Sequence, residues 1–139
     1  MNGPVLPGAP DNLTADWWDA TRVGRLLIQR CRPCGQAQFY PRLVCTSCGA
    51  TELGWAQAEG TGTVDTWTVV HRAPAEGIEV PYIVARVRLA EGPVVLSNLV
   101  DVPSGEALAG RPVALAWREL SDGRQLPVFT VPARNAEEG

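Results

Sequence analysis

Two Cys-x-x-Cys pairs, Cys31 with Cys34 and Cys45 with Cys48, carry the clearest chemistry in this sequence. The two-residue spacer lets both thiolates of a pair wrap a single ion, and the glycine after each second cysteine, Gly35 and Gly49, permits the left-handed turn that aims amide N–H groups at sulfur. Ten residues separate the pairs, fewer than in most zinc ribbons, yet two short hairpins joined through 36–44 can still close around one tetrahedral site. Four thiolates fill that tetrahedron and leave no open position for a catalytic water, so the expected ion is a structural Zn2+. Iron in the same cage, as a rubredoxin-like electron carrier, and thiol redox chemistry are the alternatives. Disulfides are disfavoured because the start of the chain carries no export signal. A metal staple also suits a module whose own core is too small to fold unaided.

Other chemistry is sparse. The single histidine, His71, follows a strand and stands beside Arg72, so it reads either as a polar residue closing that strand or as one that meets a substrate or partner. Asp65 lies mid-strand without an obvious partner, Glu76 and Glu79 sit in a loop, and no glycine-rich phosphate cradle opens a helix. With every cysteine committed to metal and no nucleophile–base pair in view, the chain is expected to be a noncatalytic component. All 12 basic residues are arginine, against 15 acids, for a net charge of −3. That balance argues against nucleic-acid binding driven by bulk charge. Arg22, Arg25, Arg30, Arg32 and Arg42 nevertheless fall between Asp19 and Glu52 in a stretch without an acid, so one end is expected to be positive. Such an end is either a solvated face or a patch for phosphate or carboxylate groups.

The elements that must position these residues follow from periodicity. At 139 residues, 45% apolar and 19% charged, the chain has the composition of a small globular protein rich in turns. No apolar run approaches the roughly 20 residues that span a bilayer, and a cytoplasmic protein without membrane attachment is expected. Residues 1–13, rich in Gly and Pro, are expected to form a flexible arm that could lie on a partner. Thr14 is placed to cap a helix over 15–22 within a 14–24 unit. Trp17 and Trp18 cannot face the same way on so short a helix, so either one packs on the core and the other anchors something else, or both pack within this protein. The zinc ribbon is assigned to 25–56. From Gly60 the apolar period becomes two, with strands expected at 61–70, 82–90, 93–101, 113–120 and 126–131 and a connector at 104–110. The predicted fold is mainly β: a short helix and zinc ribbon, then a five-stranded OB-type Greek-key barrel over 57–132 and a disordered tail at 133–139.

Several segments in order resemble a known family. These are Asp16-Trp17-Trp18, Gly24-Arg25-Leu26, Gln29-Arg30-Cys31-x-x-Cys34-Gly35, Phe39-Tyr40-Pro41-Arg42 and Cys45-x-x-Cys48-Gly49. They continue with Gly60-x-Gly62-x-Val64, Thr68-Val69-Val70-His71-Arg72, Pro81-Tyr82, Ser97-Asn98-Leu99-Val100 and Asp122-Gly123 before Leu126-Pro127-x-Phe129. Together they are similar to the OB-fold acyl-CoA-associated family with an N-terminal rubredoxin-like zinc ribbon. The resemblance implies an accessory subunit of a thiolase-superfamily enzyme, such as a thiolase, an acyltransferase or a lipid-transfer-protein-like aldolase. It implies two copies flanking the partner's dimer as a heterotetramer, with acyl-CoA near the interface and carbon–carbon bonds made or broken, steroid side-chain degradation included. On that reading His71, Arg72, Arg30, Arg42 and Trp17 are candidates to face the partner or coenzyme A. The competing expectation is a single-stranded nucleic-acid-binding zinc-ribbon/OB protein, for which only Trp67, Tyr82, Trp117 and Phe129 offer strand aromatics, at least two of them expected in the core.

Overall fold

The computed structural model describes residues 6–102 and 107–132. The expected tail at 133–139 and part of the expected connector at 104–110 lie outside the described residues. Helix α1 (Ala15–Thr21) forms one residue short of expectation, but Thr14 does not cap it with its side chain. A turn precedes the helix, so the unpaired amide groups that a cap must serve begin earlier, at Asp11. The Asp11 carboxylate accepts from the amide groups of Leu13 (3.0 Å) and Thr14 (2.9 Å) and from the Thr14 hydroxyl (2.9 Å). These donors, the Thr14 hydroxyl foremost, hold the Asp11 carboxyl below the usual carboxylate range.

The ribbon is a small antiparallel sheet of β1 (Leu27–Cys31), β2 (Ala37–Gln38) and β3 (Leu53–Gln57) in the order β2-β1-β3. As the central strand, β1 buries Leu27, Ile28, Gln29 and Cys31 and exposes Arg30. The barrel follows with β4 (Thr61–Val70), β5 (Tyr82–Leu89), β6 (Val94–Val100), β7 (Pro112–Glu119) and β8 (Gln125–Thr130). It closes in the order β4-β5-β6-β8-β7 with β7 back on β4, and the β6–β8 pair is parallel while the other neighbours are antiparallel. That is the Greek-key OB barrel expected from the strand pattern.

Two features of β4 bend it into the barrel. Gly62 lies so close to β5 that a Cβ there would sit 2.5 Å from the Arg88 carbonyl oxygen, which makes glycine the residue that fits. The register then slips between Val64 and Thr66, leaving Asp65 as the extra residue of a bulge. Asp65, expected to lack a partner, meets Arg86 on β5 at 3.3 Å. The pair is exposed, so it contributes little to stability.

One apolar cluster runs through the whole molecule, joining Leu26 and Ile28 of the ribbon side to Val87, Leu89, Val113 and Phe129 of the barrel through α1. The adjacent tryptophans do this by diverging: their rings meet edge-on at 4.7 Å and 89°. Trp17 turns toward the ribbon, where its indole N–H donates to the Leu27 carbonyl at 2.9 Å and its ring lies 5.9 Å from Phe39. Trp18 turns toward the barrel and lies under the Arg124 guanidinium at 4.6 Å. Both are buried, with 3% and 7% of their surface exposed. The expectation that Trp17 faces a partner is therefore corrected. Each face of the helix meets a different half of the protein, so the Trp-Trp pair has no outward side.

Arg124 completes the junction. Its buried guanidinium pairs with Asp122 at 2.7 Å and donates to the carbonyls of Gly8 (2.8 Å) and Pro7 (3.0 Å). The described part of the expected flexible arm is thus tied to the barrel at Pro7 and Gly8. Gln125 adds two bonds from β8 to the last residue of α1, donating from its amide to the Thr21 hydroxyl (3.2 Å) and from its side chain to the Thr21 carbonyl (2.9 Å).

Candidate metal centre

Cys31 ends β1, and Cys34 follows through a turn whose Gly35 takes φ 75°; Cys45 and Cys48 repeat the arrangement with Gly49 at φ 77°. In each turn the glycine amide bonds the carbonyl of the first cysteine, Gly35 to Cys31 at 2.8 Å and Gly49 to Cys45 at 2.9 Å. The four Sγ atoms lie within 4.8 Å of one another. Across the site Cys31 and Cys48 are 3.6 Å apart and Cys34 and Cys45 are 3.7 Å apart. A tetrahedron with Zn–S bonds of about 2.3 Å has edges of about 3.8 Å, so the cage fits zinc.

The electrostatics also favour a cation among the sulfurs. Amide groups of Cys48 and Ser47 pointing at the Cys45 sulfur bring its thiol down to about 6. At Cys31 the Cys34 amide also works downward, but burial and the three neighbouring sulfurs outweigh it and push the thiol up to about 12. Four sulfurs this close resist ionising together unless a cation sits among them. The ribbon therefore binds a structural Zn2+ through Cys31, Cys34, Cys45 and Cys48, and the saturated sulfur shell gives the ion no open coordination position.

Two buried glutamines, which sequence reasoning missed, hold the second knuckle. The Gln29 side chain accepts from the Arg42 amide (2.8 Å) and donates to the Arg42 carbonyl (2.9 Å). Gln38 donates to Gln29 Oε1 (2.9 Å) and the Val44 carbonyl (3.2 Å), and accepts from the Thr46 amide (2.9 Å). The 39–46 segment, which pairs with no strand, thus has its backbone held by side chains at 42, 44 and 46. Nothing in the sequence distinguishes these two from exposed glutamines except their place on β1 and β2. Gln38→Leu is expected to leave a half-buried amide and carbonyl without their protein partner at a cost of about 1 kcal/mol; chemical denaturation of the zinc-loaded protein checks this, and an unchanged midpoint would show that the network is dispensable.

The other candidates are dispersed. His71 and Arg72 are both exposed at the start of the loop after β4. Arg30 is exposed on β1 and donates to the Gly35 carbonyl at 2.9 Å, bracing the first knuckle. Arg42 is exposed on the second. The structure brings Arg30 and Arg42 near the metal turns through their backbones and leaves His71 and Arg72 on the barrel. Of the four barrel aromatics, Phe129 is fully buried and Trp117 packs on the core, which leaves Trp67 and Tyr82 to meet a base.

A cleft of about 740 Å³ opens between the loop after β4 and the strands β5, β6, β7 and β8. Ile78, Tyr82, Leu99 and Leu126 give it apolar walls, with Arg118 and Asp101 among its polar groups. Its volume is that of a small-molecule site. It was not legible in the sequence because its walls come from four strands and a loop that only barrel closure brings together. His71 and Arg72 are not among its lining residues. Among the described residues no helix is long and apolar enough to cross a membrane.

Comparison with known proteins finds two family profiles. "ChsH2, rubredoxin-like zinc ribbon domain" matches residues 18–54, and "ChsH2, C-terminal OB-fold domain" matches residues 55–118. A "DUF35 domain-containing scaffold protein" of Pyrococcus furiosus is 36% identical over 83% of this chain and 85% of its own length. A "Probable enoyl-CoA hydratase alpha subunit" of Thermomonospora curvata is 39% identical over 89% of this chain, which spans only 39% of that longer relative. The solved structure titled "Ltp2-ChsH2(DUF35) aldolase" contains a chain 36% identical to this one, with a TM-score of 0.80 over 90% of this chain and 98% of that one.

Proposed function

Because the chain belongs to the ChsH2 family, in which a rubredoxin-like zinc ribbon precedes an OB-fold domain, we propose that it is a noncatalytic subunit that docks on a thiolase-superfamily enzyme and helps to form its acyl-CoA channel. The match to a chain of the Ltp2-ChsH2 aldolase, at TM-score 0.80 and covering nearly all of both chains, carries this reading. The residues agree with it: the metal site is a saturated sulfur cage, and no nucleophile–base pair is present among the described residues. On this reading the partner is a thiolase or a lipid-transfer-protein-like aldolase, with two copies of this chain flanking its dimer. The reaction makes or breaks a carbon–carbon bond on an acyl-CoA, steroid side-chain thioesters included, inside the cell.

In this arrangement the barrel supplies a rigid wall. The apolar walls of the cleft beside β5 and β6 suit the acyl portion of the thioester, whereas exposed arginines suit the phosphates of coenzyme A through charge-assisted bonds. His71 and Arg72, at the rim of the same loop, lie toward the partner. Co-expression with the product of a neighbouring thiolase-like reading frame tests the proposal. A co-purifying complex that turns over acyl-CoA, with the isolated chain inert, is the expected result; thioester turnover by the isolated chain overturns it. In the complex, His71→Ala is expected to lower turnover about tenfold, equivalent to roughly 1.4 kcal/mol, with an unchanged melting temperature. Full activity of that variant would remove His71 from the interface and leave the subunit role standing.

A further inference from the structure

The segment leading into the second zinc knuckle carries exposed apolar surface that the fold leaves uncovered: Leu43 and Val44 project, and Tyr40, although one side of its ring meets Trp17 and Phe39, keeps part of its surface free. Leu43 is 75% exposed, Val44 45% and Tyr40 43%, all within five consecutive residues. Loops with this much exposed apolar surface are ordinarily free to fold it away. This one is not: Gln29 fixes the backbone of Arg42 on both its amide and its carbonyl, Gln38 fixes Val44 and Thr46, and Cys45 is tied to the metal cage. The bonds grip the main chain at 42, 44 and 46 and leave the Leu43 side chain projecting. Arg42 adjoins it in the chain and is exposed, and no acid occurs between Asp19 and Glu52.

We infer that Tyr40, Leu43 and Val44 form a preorganised knob that seats in an apolar pocket with a carboxylate rim on the partner enzyme subunit. The inference rests on the subunit role proposed above and adds the surface by which the subunit is held. Preorganisation favours a protein over a lipid surface as the occupant. A fixed projection lowers the ordering cost of entering a pocket of matching shape, whereas a fluid bilayer rewards no particular geometry. An aliphatic anchor at the centre of such a contact dominates affinity, and the arginine around it sets orientation and association rate.

The test is the affinity of the full-length, zinc-loaded chain for the thiolase-like subunit, compared among wild type, Leu43→Glu, Leu43→Met and Leu96→Glu. Leu96 is the control because it is 73% exposed on β6, away from the knuckle. Leu43→Glu is expected to bind about thirtyfold more weakly, because a charge replaces the apolar anchor and meets a like-charged rim. Leu43→Met and Leu96→Glu are expected to bind as wild type, and zinc content and melting temperature are expected to be the same in all four. Wild-type affinity of Leu43→Glu overturns the knob and leaves the subunit role intact. Failure of the wild-type chain to bind any thiolase-like subunit overturns both. Binding of wild type to phosphatidylserine vesicles, abolished in Leu43→Glu, overturns the protein occupant in favour of a membrane.

Discussion

Stripping the metal with a chelator, or replacing Cys45 by Ser, is expected to unfold the ribbon while the barrel keeps its strands. The ribbon has little else to hold it: β2 is two residues long, and the segment from Phe39 to Thr46 is fastened by two glutamine side chains in place of a sheet. Structural zinc supplies an apparent 10–16 kcal/mol in comparable small sites, on the order of the whole stability of a domain. The barrel closes on itself through β7 and β4 without passing through the ribbon, so its amides should stay protected from exchange. The unfolding should also be visible in near-ultraviolet circular dichroism. Trp17 is held against Phe39 and Tyr40, at 5.9 and 6.1 Å, and loses that asymmetric environment when the knuckles come apart. Hydrogen exchange on the metal-free chain checks the prediction, and protected amides across β1 and β3 without metal would refute it. The metal-loaded protein, before chelation, identifies the ion by its colour. A zinc tetrathiolate is colourless, whereas iron in this cage absorbs strongly in the visible.

The metal ligands and the barrel were legible in the sequence because each is encoded locally. A Cys-x-x-Cys-Gly turn places its own sulfurs, and alternation such as Ala85, Arg86, Val87, Arg88, Leu89 settles which face of a strand is buried before any partner strand is known. β4 accordingly begins and ends at its expected residues, and the other barrel strands fall within one residue at either end. What was not legible depends on residues far apart in the chain. Trp17 looks like an anchor until the ribbon is folded against it. Gln29 and Gln38 look like solvent-facing amides until the strand-free loop that needs them is in place. Asp65 finds Arg86 only through a bulge, and Thr14 yields its role to Asp11 because the turn ahead of the helix moves the unpaired amides upstream. In each case tertiary geometry, not local chemistry, decided what the side chain would touch.

Arg124→Met is expected to destabilise the protein by roughly 3 kcal/mol, the combined loss of several charge-assisted bonds and a guanidinium–indole contact, or about a 10 °C fall in melting temperature for a domain of this size. The cost is large because one side chain serves three parts of the fold. Its three donor groups reach Asp122, Gly8 and Pro7, and its plane covers Trp18, so α1, the turn before β8 and the N-terminal arm are all fastened through it. Methionine keeps much of the apolar stem and removes the fork, which separates lost hydrogen bonding from lost volume. Lysine is expected to recover little, since a single ammonium cannot span the three acceptors or stack on the indole. Limited proteolysis should then cut near residues 7 and 8 earlier in the variant than in wild type. The variant should also differ in acid. Burial works to raise the Asp122 carboxyl, but the Arg124 amide and guanidinium, with Arg22, outweigh it and hold it below its ordinary value. A carboxyl depressed in the folded state contributes stability that is fully present above its unfolded value, about 3.9, and disappears as the pH falls through the lower folded one. Wild type should therefore lose stability below about pH 4 more steeply than Arg124→Met, whose Asp122 has lost its principal cation. Parallel losses of stability in the two proteins as the pH falls below that value, or equal stability at neutral pH, would show that the junction is held by packing alone.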